Sequence, residues 1–126
     1  MNIVLWVLQV LLAVAFFAHG WMLLAPPPDI AALMLEAFPR AFWVFLGVAE
    51  VAAAIGLILP GLTGIMPWLV TWAAAGVTFV MISATIYHIV RNEGTSTIIT
   101  AVLLVMSAFV TYMRWKVLPI RPRRTA

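Results

Sequence analysis

Apolar residues run along this chain in four long blocks, and the strongly polar residues gather mostly in short breaks between them. The blocks extend from about Ile3 to Leu24, Ala41 to Leu59, Trp68 to Val90 and Ser96 to Leu118. Each approaches or exceeds the roughly 20 residues that an α-helix needs to cross a bilayer core. Apolar residues occupy all sides of each block, so length and hydropathy decide the assignment more than helical periodicity does. The pattern predicts an all-α membrane fold, a four-transmembrane-helix antiparallel bundle. It forms one domain over residues 1–126, ending in a basic tail at 119–126.

The breaks have their own chemistry. Pro26-Pro27-Pro28 ends the first helix, because proline lacks a donor and disfavours a helical residue before it. Asp29 can then cap a short amphipathic helix whose residues Ile30, Leu33, Met34, Ala37 and Phe38 share one face. Glu36 and Arg40 stand in the i,i+4 order that favours an ion pair. This helix is expected at the membrane surface or over the mouth of the bundle. Pro60-Gly61-Leu62-Thr63-Gly64 and Asn92-Glu93-Gly94-Thr95 read as short turns, which makes the flanking helices antiparallel neighbours. Residues 1–24 lack the basic start and the cleavage site of a signal peptide, and read as a retained span.

Composition narrows the class. Of 126 residues, 66% are hydrophobic and 9% charged, beyond what a soluble domain can bury. There is no cysteine, so this chain alone provides no disulfide, thiol redox centre or Fe–S ligand. The net charge of +3 arises largely near the C-terminus, from Arg114, Lys116, Arg121, Arg123 and Arg124. No aromatic-interleaved basic surface accompanies them, so they read as topology-setting charges beside lipid rather than as a nucleic-acid site. Only Arg40 and Arg91 fall on the other side, which places both termini in the cytoplasm by the positive-inside rule. Trp6, Trp68 and Trp115 near one interface and Trp21 and Trp43 near the other fit an aromatic belt.

Glu50 is the residue with most to explain. A carboxylate near the centre of a span costs roughly 2.5–3.5 kcal/mol by insertion measurements, and such a residue usually faces a partner, a cavity or a pathway. Gly47, Ala52, Ala54 and Gly56 around it are small, which lets another backbone approach. Three readings stand: a carboxyl bonded to a neighbouring helix, a ligand- or proton-handling group, and a contact with another subunit. His19 lies about five residues past the middle of the first helix, roughly 7–8 Å along its axis, and His88 ends the third, beside Tyr87 and Arg91. A convergence of His19, Glu50 and His88 in the outer half is geometrically possible. Two histidines and a carboxylate are few for a metal site, although that set is a known minimum. Thr71, Thr78 and Thr85 are seven apart, as are Thr100, Ser107 and Arg114, with Thr111 on the same side. Such stripes, Thr78 and Ser107 among them, seal helix contacts more often than they line a pore. Arg114 is expected to snorkel to the headgroups; Gln9 stands alone.

Ala18-His19-Gly20, Leu46-Gly47-Val48-Ala49-Glu50, Gly56-Leu57-Ile58-Leu59-Pro60-Gly61 and Ala84-x-x-x-His88 with Arg91 and Glu93, set in four spans, resemble the DoxX-like family of small four-helix membrane proteins. The resemblance covers nearly the whole chain. It implies a bacterial inner-membrane protein associated with membrane redox or oxidative-stress complexes, the family being named for a subunit linked to thiosulfate:quinone oxidoreduction. The positions matching the family pattern are Gly47, Glu50, His88, His19 and Arg91. Three functions follow as expectations: an accessory subunit of a redox or energy-transducing complex, not catalytic alone; a quinone- or lipid-binding component of an oxidoreductase; and a small transporter or proton path. The expected partners are the bilayer and other membrane subunits or a second copy.

Overall fold

A computed structural model describes residues 1–124. Helix α1 spans Asn2–Leu24, α2 Pro28–Ala37, α3 Arg40–Thr63, α4 Leu69–Val90 and α5 Gly94–Tyr112, which continues as a π-helical turn over Met113–Val117. Four helices, α1, α3, α4 and α5 with its π turn, are long and apolar enough to cross a membrane. They close a ring in which α1 and α4 are each flanked by α3 and α5. Their buried sides meet in one core of Leu5, Leu12, Phe16, Leu57, Ala74, Val77, Met81 and Val110. Only 22–33% of the most apolar stretch of each span is buried. The remaining apolar surface therefore faces outward, where lipid is as good a solvent as a protein core.

The expected turn at Pro60 does not form there; α3 continues through Pro60 to Thr63. Proline removes one backbone bond, to the carbonyl four residues earlier, and its fixed φ is already helical. The helix ends where Gly64 adopts φ +69° and its N–H bonds to the Pro60 carbonyl at 3.0 Å. That left-handed conformation suits glycine.

The short helix α2 is present, but its apolar face is used unevenly. Met34 is buried and Ile30 and Phe38 are half-buried, whereas Leu33 and Ala37 are exposed. The Trp43 indole N–H bonds to the Met34 carbonyl at 2.8 Å and the Phe38 carbonyl at 3.1 Å, tying the end of α2 to α3. Phe38 stacks on Phe42 and meets Trp43 and Tyr87 at 5.5 and 6.0 Å between ring centres, so aromatic side chains plug this end.

The expected Glu36–Arg40 pair is absent among the described residues. Extended backbone at Phe38 and Pro39 ends α2 and places Arg40 in the first turn of α3. Its guanidinium instead donates to the carbonyls of Leu23 at 2.9 Å and Leu24 at 2.6 Å. Those carbonyls end α1 and have no helical partner of their own, and a cation also suits a helix C-terminus.

Candidate functional site

The site begins with two glycines. A Cβ on Gly20 would lie 2.9 Å from the Gly47 carbonyl oxygen, and a Cβ on Gly47 would lie 2.9 Å from the Gly20 oxygen. With only hydrogens there, α1 and α3 touch backbone to backbone. Glu50 follows Gly47 by one turn and His19 precedes Gly20, so the close approach brings their side chains together. His19 Nδ1 lies 2.6 Å from Glu50 Oε2. Glu50 is 2% exposed while the His19 side chain is 54% exposed, so a buried carboxylate reaches the surface of the bundle only through an imidazole.

This arrangement assigns the two ring nitrogens different tasks. Nδ1 is committed to Glu50, and Nε2 has no hydrogen-bond partner among the described residues. A carboxylate behind a histidine orients the ring and fixes its tautomer, so Nε2 can take a proton from a hydroxyl or donate one to a carbonyl. Below the pair, α1 and α3 leave an apolar groove of about 430 Å³ lined by Val14, Phe17, Ala18, Ile55 and Leu59. Ala18 and Ala54 form the end of the groove beside His19 and one turn from Glu50.

His88 does not join them. Among the described residues no three of His, Cys, Asp and Glu converge as a metal site would require. His88 Nδ1 lies 3.6 Å from Glu93 Oε1, too long for a hydrogen bond, and its ring meets Tyr87 edge-on. Arg91 Nε donates to Glu93 at 2.8 Å and its guanidinium lies 5.4 Å from the Tyr87 ring centre. That bond to Glu93 raises the Arg91 pKa above the ordinary arginine value. His88, Arg91 and Glu93 therefore form a separate group at the α4–α5 turn. The possible triad does not form: α4, which carries His88, packs chiefly on α5 and α3, whereas α1, which carries His19, packs chiefly on α3.

A second polar cluster lies near the other end of α1, where the sequence reading expected none. Arg114, expected among headgroups, is 3% exposed. Its Nε donates to Gln9 Oε1 at 2.7 Å, and one Nη donates to Asn2 Oδ1 at 2.7 Å and to the Leu118 carbonyl at 3.0 Å. Gln9 in turn donates to the Leu57 carbonyl at 2.8 Å. These bonds join α1, α3 and the end of α5. The π turn at Met113–Val117, closed by the Leu118 N–H on the Met113 carbonyl, is where Arg114 sits. A signal was present in the sequence: Asn2 and Gln9 are seven residues apart on α1, hence on one face, as Ser107 and Arg114 are on α5.

The small and hydroxyl residues divide. Gly56 packs α3 against α4, since a Cβ there would lie 3.0 Å from that of Ala73. Ala52 is exposed, because it lies two residues from the buried Glu50 and so on another side of α3. Thr78 Oγ1 meets Thr111 Oγ1 at 3.3 Å across α4 and α5. Ser107 is buried and bonds back to the Leu104 carbonyl.

No curated protein and no solved structure matches this chain. A family model does: it covers residues 7–110, which include His19, Gly20, Gly47, Glu50, His88 and Arg91 but not Arg114. With four membrane-spanning helices and a match over most of its length, the chain belongs to the DoxX-like family.

Proposed function

We propose that this protein binds an amphiphile, a quinone or a lipid, at His19 and Glu50, as the membrane component of an oxidoreductase. The observation that carries this reading is the half-exposed His19, hydrogen-bonded to a buried Glu50 at the end of an apolar groove. The groove suits an isoprenoid or acyl chain. His19 Nε2 suits the oxygen of the head, accepting the proton of a quinol hydroxyl or donating to a quinone carbonyl. Its own side chains provide no thiol, so electrons would pass to a partner or a bound group. This reading sets the protein in a bacterial inner membrane, and the basic residues near the C-terminus support cytoplasmic termini.

A second reading is an accessory subunit of a redox or energy-transducing complex. It is favoured by His19 itself, a polar side chain half-exposed on the flank of a span, where a partner helix could satisfy it. Mass spectrometry of the protein purified in mild detergent separates the two. A stoichiometric apolar ligand in the organic extract, lost in Glu50→Gln, supports the binding site. A fixed-stoichiometry protein partner without such a ligand supports the accessory subunit and makes Glu50 structural.

A further inference from the structure

We infer that the recess between the α3–α4 loop and the C-terminal tail binds one anionic phospholipid, with its phosphate between Arg121 and Arg123. The depth of the recess follows from the length of α3. Its 24 residues measure about 36 Å at the helical rise, against a hydrocarbon core of about 30 Å. Residues 61–65, at and just past the end of α3, therefore lie at the level of the headgroups. Exposed Trp68 and Trp115 mark the same level, as interfacial tryptophans do. The recess, of about 520 Å³, is lined by residues 61–65 together with Arg121 and Arg123. Two glycines seat the tail that forms its other wall. The Arg123 N–H donates to the Gly64 carbonyl at 2.8 Å. A Cβ on Gly64 would lie 2.8 Å from the Arg123 backbone nitrogen, and one on Gly61 would lie 2.9 Å from Ile120 Cδ1. Pro122 disfavours a helical Arg121, and side chains two apart in extended chain leave on the same side.

Charge selects the occupant. The side-chain hydrogen bonds made by arginines belong to Arg40, Arg91 and Arg114; the guanidiniums of Arg121 and Arg123 have none among the described residues. The chain has four acidic side chains, and all lie elsewhere. Asp29 and Glu36 belong to α2, Glu50 is bonded to His19 within the bundle, and Glu93 lies in the α4–α5 turn with Arg91. No carboxylate of this chain competes for the two guanidiniums. Each offers paired donors that match the oxygens of a phosphate. Beside them Leu62 and Ile65 are exposed and give acyl chains an apolar wall. Cations next to apolar surface at headgroup depth fit an amphiphile with an anionic head. A choline headgroup would bring its own cation against the arginines. Basic residues beside a span attract anionic lipid in any case; the seated tail turns that diffuse attraction into one position. Arg114 is buried and takes no part.

The test uses the full chain in mild detergent, read by native mass spectrometry. The probe is dioleoylphosphatidylglycerol in mixed micelles, and dioleoylphosphatidylcholine is the zwitterionic control. Two charge-matched variants are compared with the wild type: one carries R121Q and R123Q, the other K116Q and R124Q. All four side chains are exposed, and the bond to Gly64 uses the Arg123 backbone, so both variants keep the fold. The expected result is a one-to-one adduct with phosphatidylglycerol and none with phosphatidylcholine. The R121Q and R123Q pair weakens it by about tenfold or more, and the K116Q and R124Q pair changes it little. Glu50→Gln retains it, which distinguishes this lipid from a ligand held at His19. Equal weakening by the two pairs reduces the attraction to unlocalised charge and overturns the site. So does an adduct that forms alike with both lipids, forms with neither, or is lost in Glu50→Gln.

Discussion

Gln9–Arg114 and His19–Glu50 are both polar pairs set in apolar helices, yet they are built to opposite plans. In the first, both side chains are sealed, at 0% and 3% exposure, and their bonds join α1, α3 and the end of α5. In the second, one partner is sealed and the other stands half outside, and only two helices take part. A sealed cluster contributes mainly to holding the bundle; a cluster with one member outside can exchange protons or hydrogen bonds with what comes to it. The comparison predicts that damage to the first shows as loss of stability, and damage to the second as loss of binding with the fold intact.

The sharpest way to break that contrast is Gln9→Leu. It leaves the Arg114 Nε without its acceptor and the Leu57 carbonyl without its side-chain donor, and leaving a buried donor unsatisfied costs about 1–3 kcal/mol, more when the donor is charged. Thermal unfolding in detergent should show the largest drop of any variant considered; an unchanged midpoint would mean Arg114 is held by something else. Next is Gly47→Val, which drives a side chain into the Gly20 backbone and costs about 1–3 kcal/mol by overpacking. It should also separate His19 from Glu50, so stability and ligand retention fall together. Glu50→Gln keeps the shape and one hydrogen bond; interhelical bonds in membranes average about 0.6 kcal/mol. The midpoint should move little while the extracted ligand disappears. His19→Ala removes a half-exposed side chain, and the expected stability change is within about 0.5 kcal/mol, again with loss of ligand. A fall as large as that of Gln9→Leu in either of these two would erase the distinction. Smallest of all is Arg91→Gln at the largely exposed Arg91–Glu93 pair. It should leave both readouts unchanged, since solvent and salt screen such a pair.

The number and length of the spans were legible because hydropathy acts over about twenty residues and needs no knowledge of neighbours. Glu50 was legible for the same reason, as a charge among apolar residues. Its partner was half legible. His19 lay at the right depth, but so did His88, and depth does not say which helices touch. That choice was made by Gly20 and Gly47, whose mutual approach selects α1 as the neighbour of α3 at this level. Arg114 was misread because its distance from the end of the block suited snorkelling, and only the pairing of α1 with α5 shows Asn2 and Gln9 awaiting it. Pro60 was misread because the rule that proline breaks a helix assumes the freed carbonyl has no other remedy. Arg40 was assigned to Glu36 by spacing on a helix that ends before reaching it.

Gln9 and Arg114 are separated by 105 residues of chain, and that separation is also an interval of time. At roughly 5–20 residues per second of synthesis, Gln9 is made about 5–20 seconds before its arginine exists. Through that interval the Gln9 side-chain oxygen lacks the donor that Arg114 will bring, while its N–H can already donate to the Leu57 carbonyl of α3. The α1–α3 pair, with its glycine contact and its His19–Glu50 bond, can thus be complete while α5 is still unmade. The arginine arrives late and closes the ring.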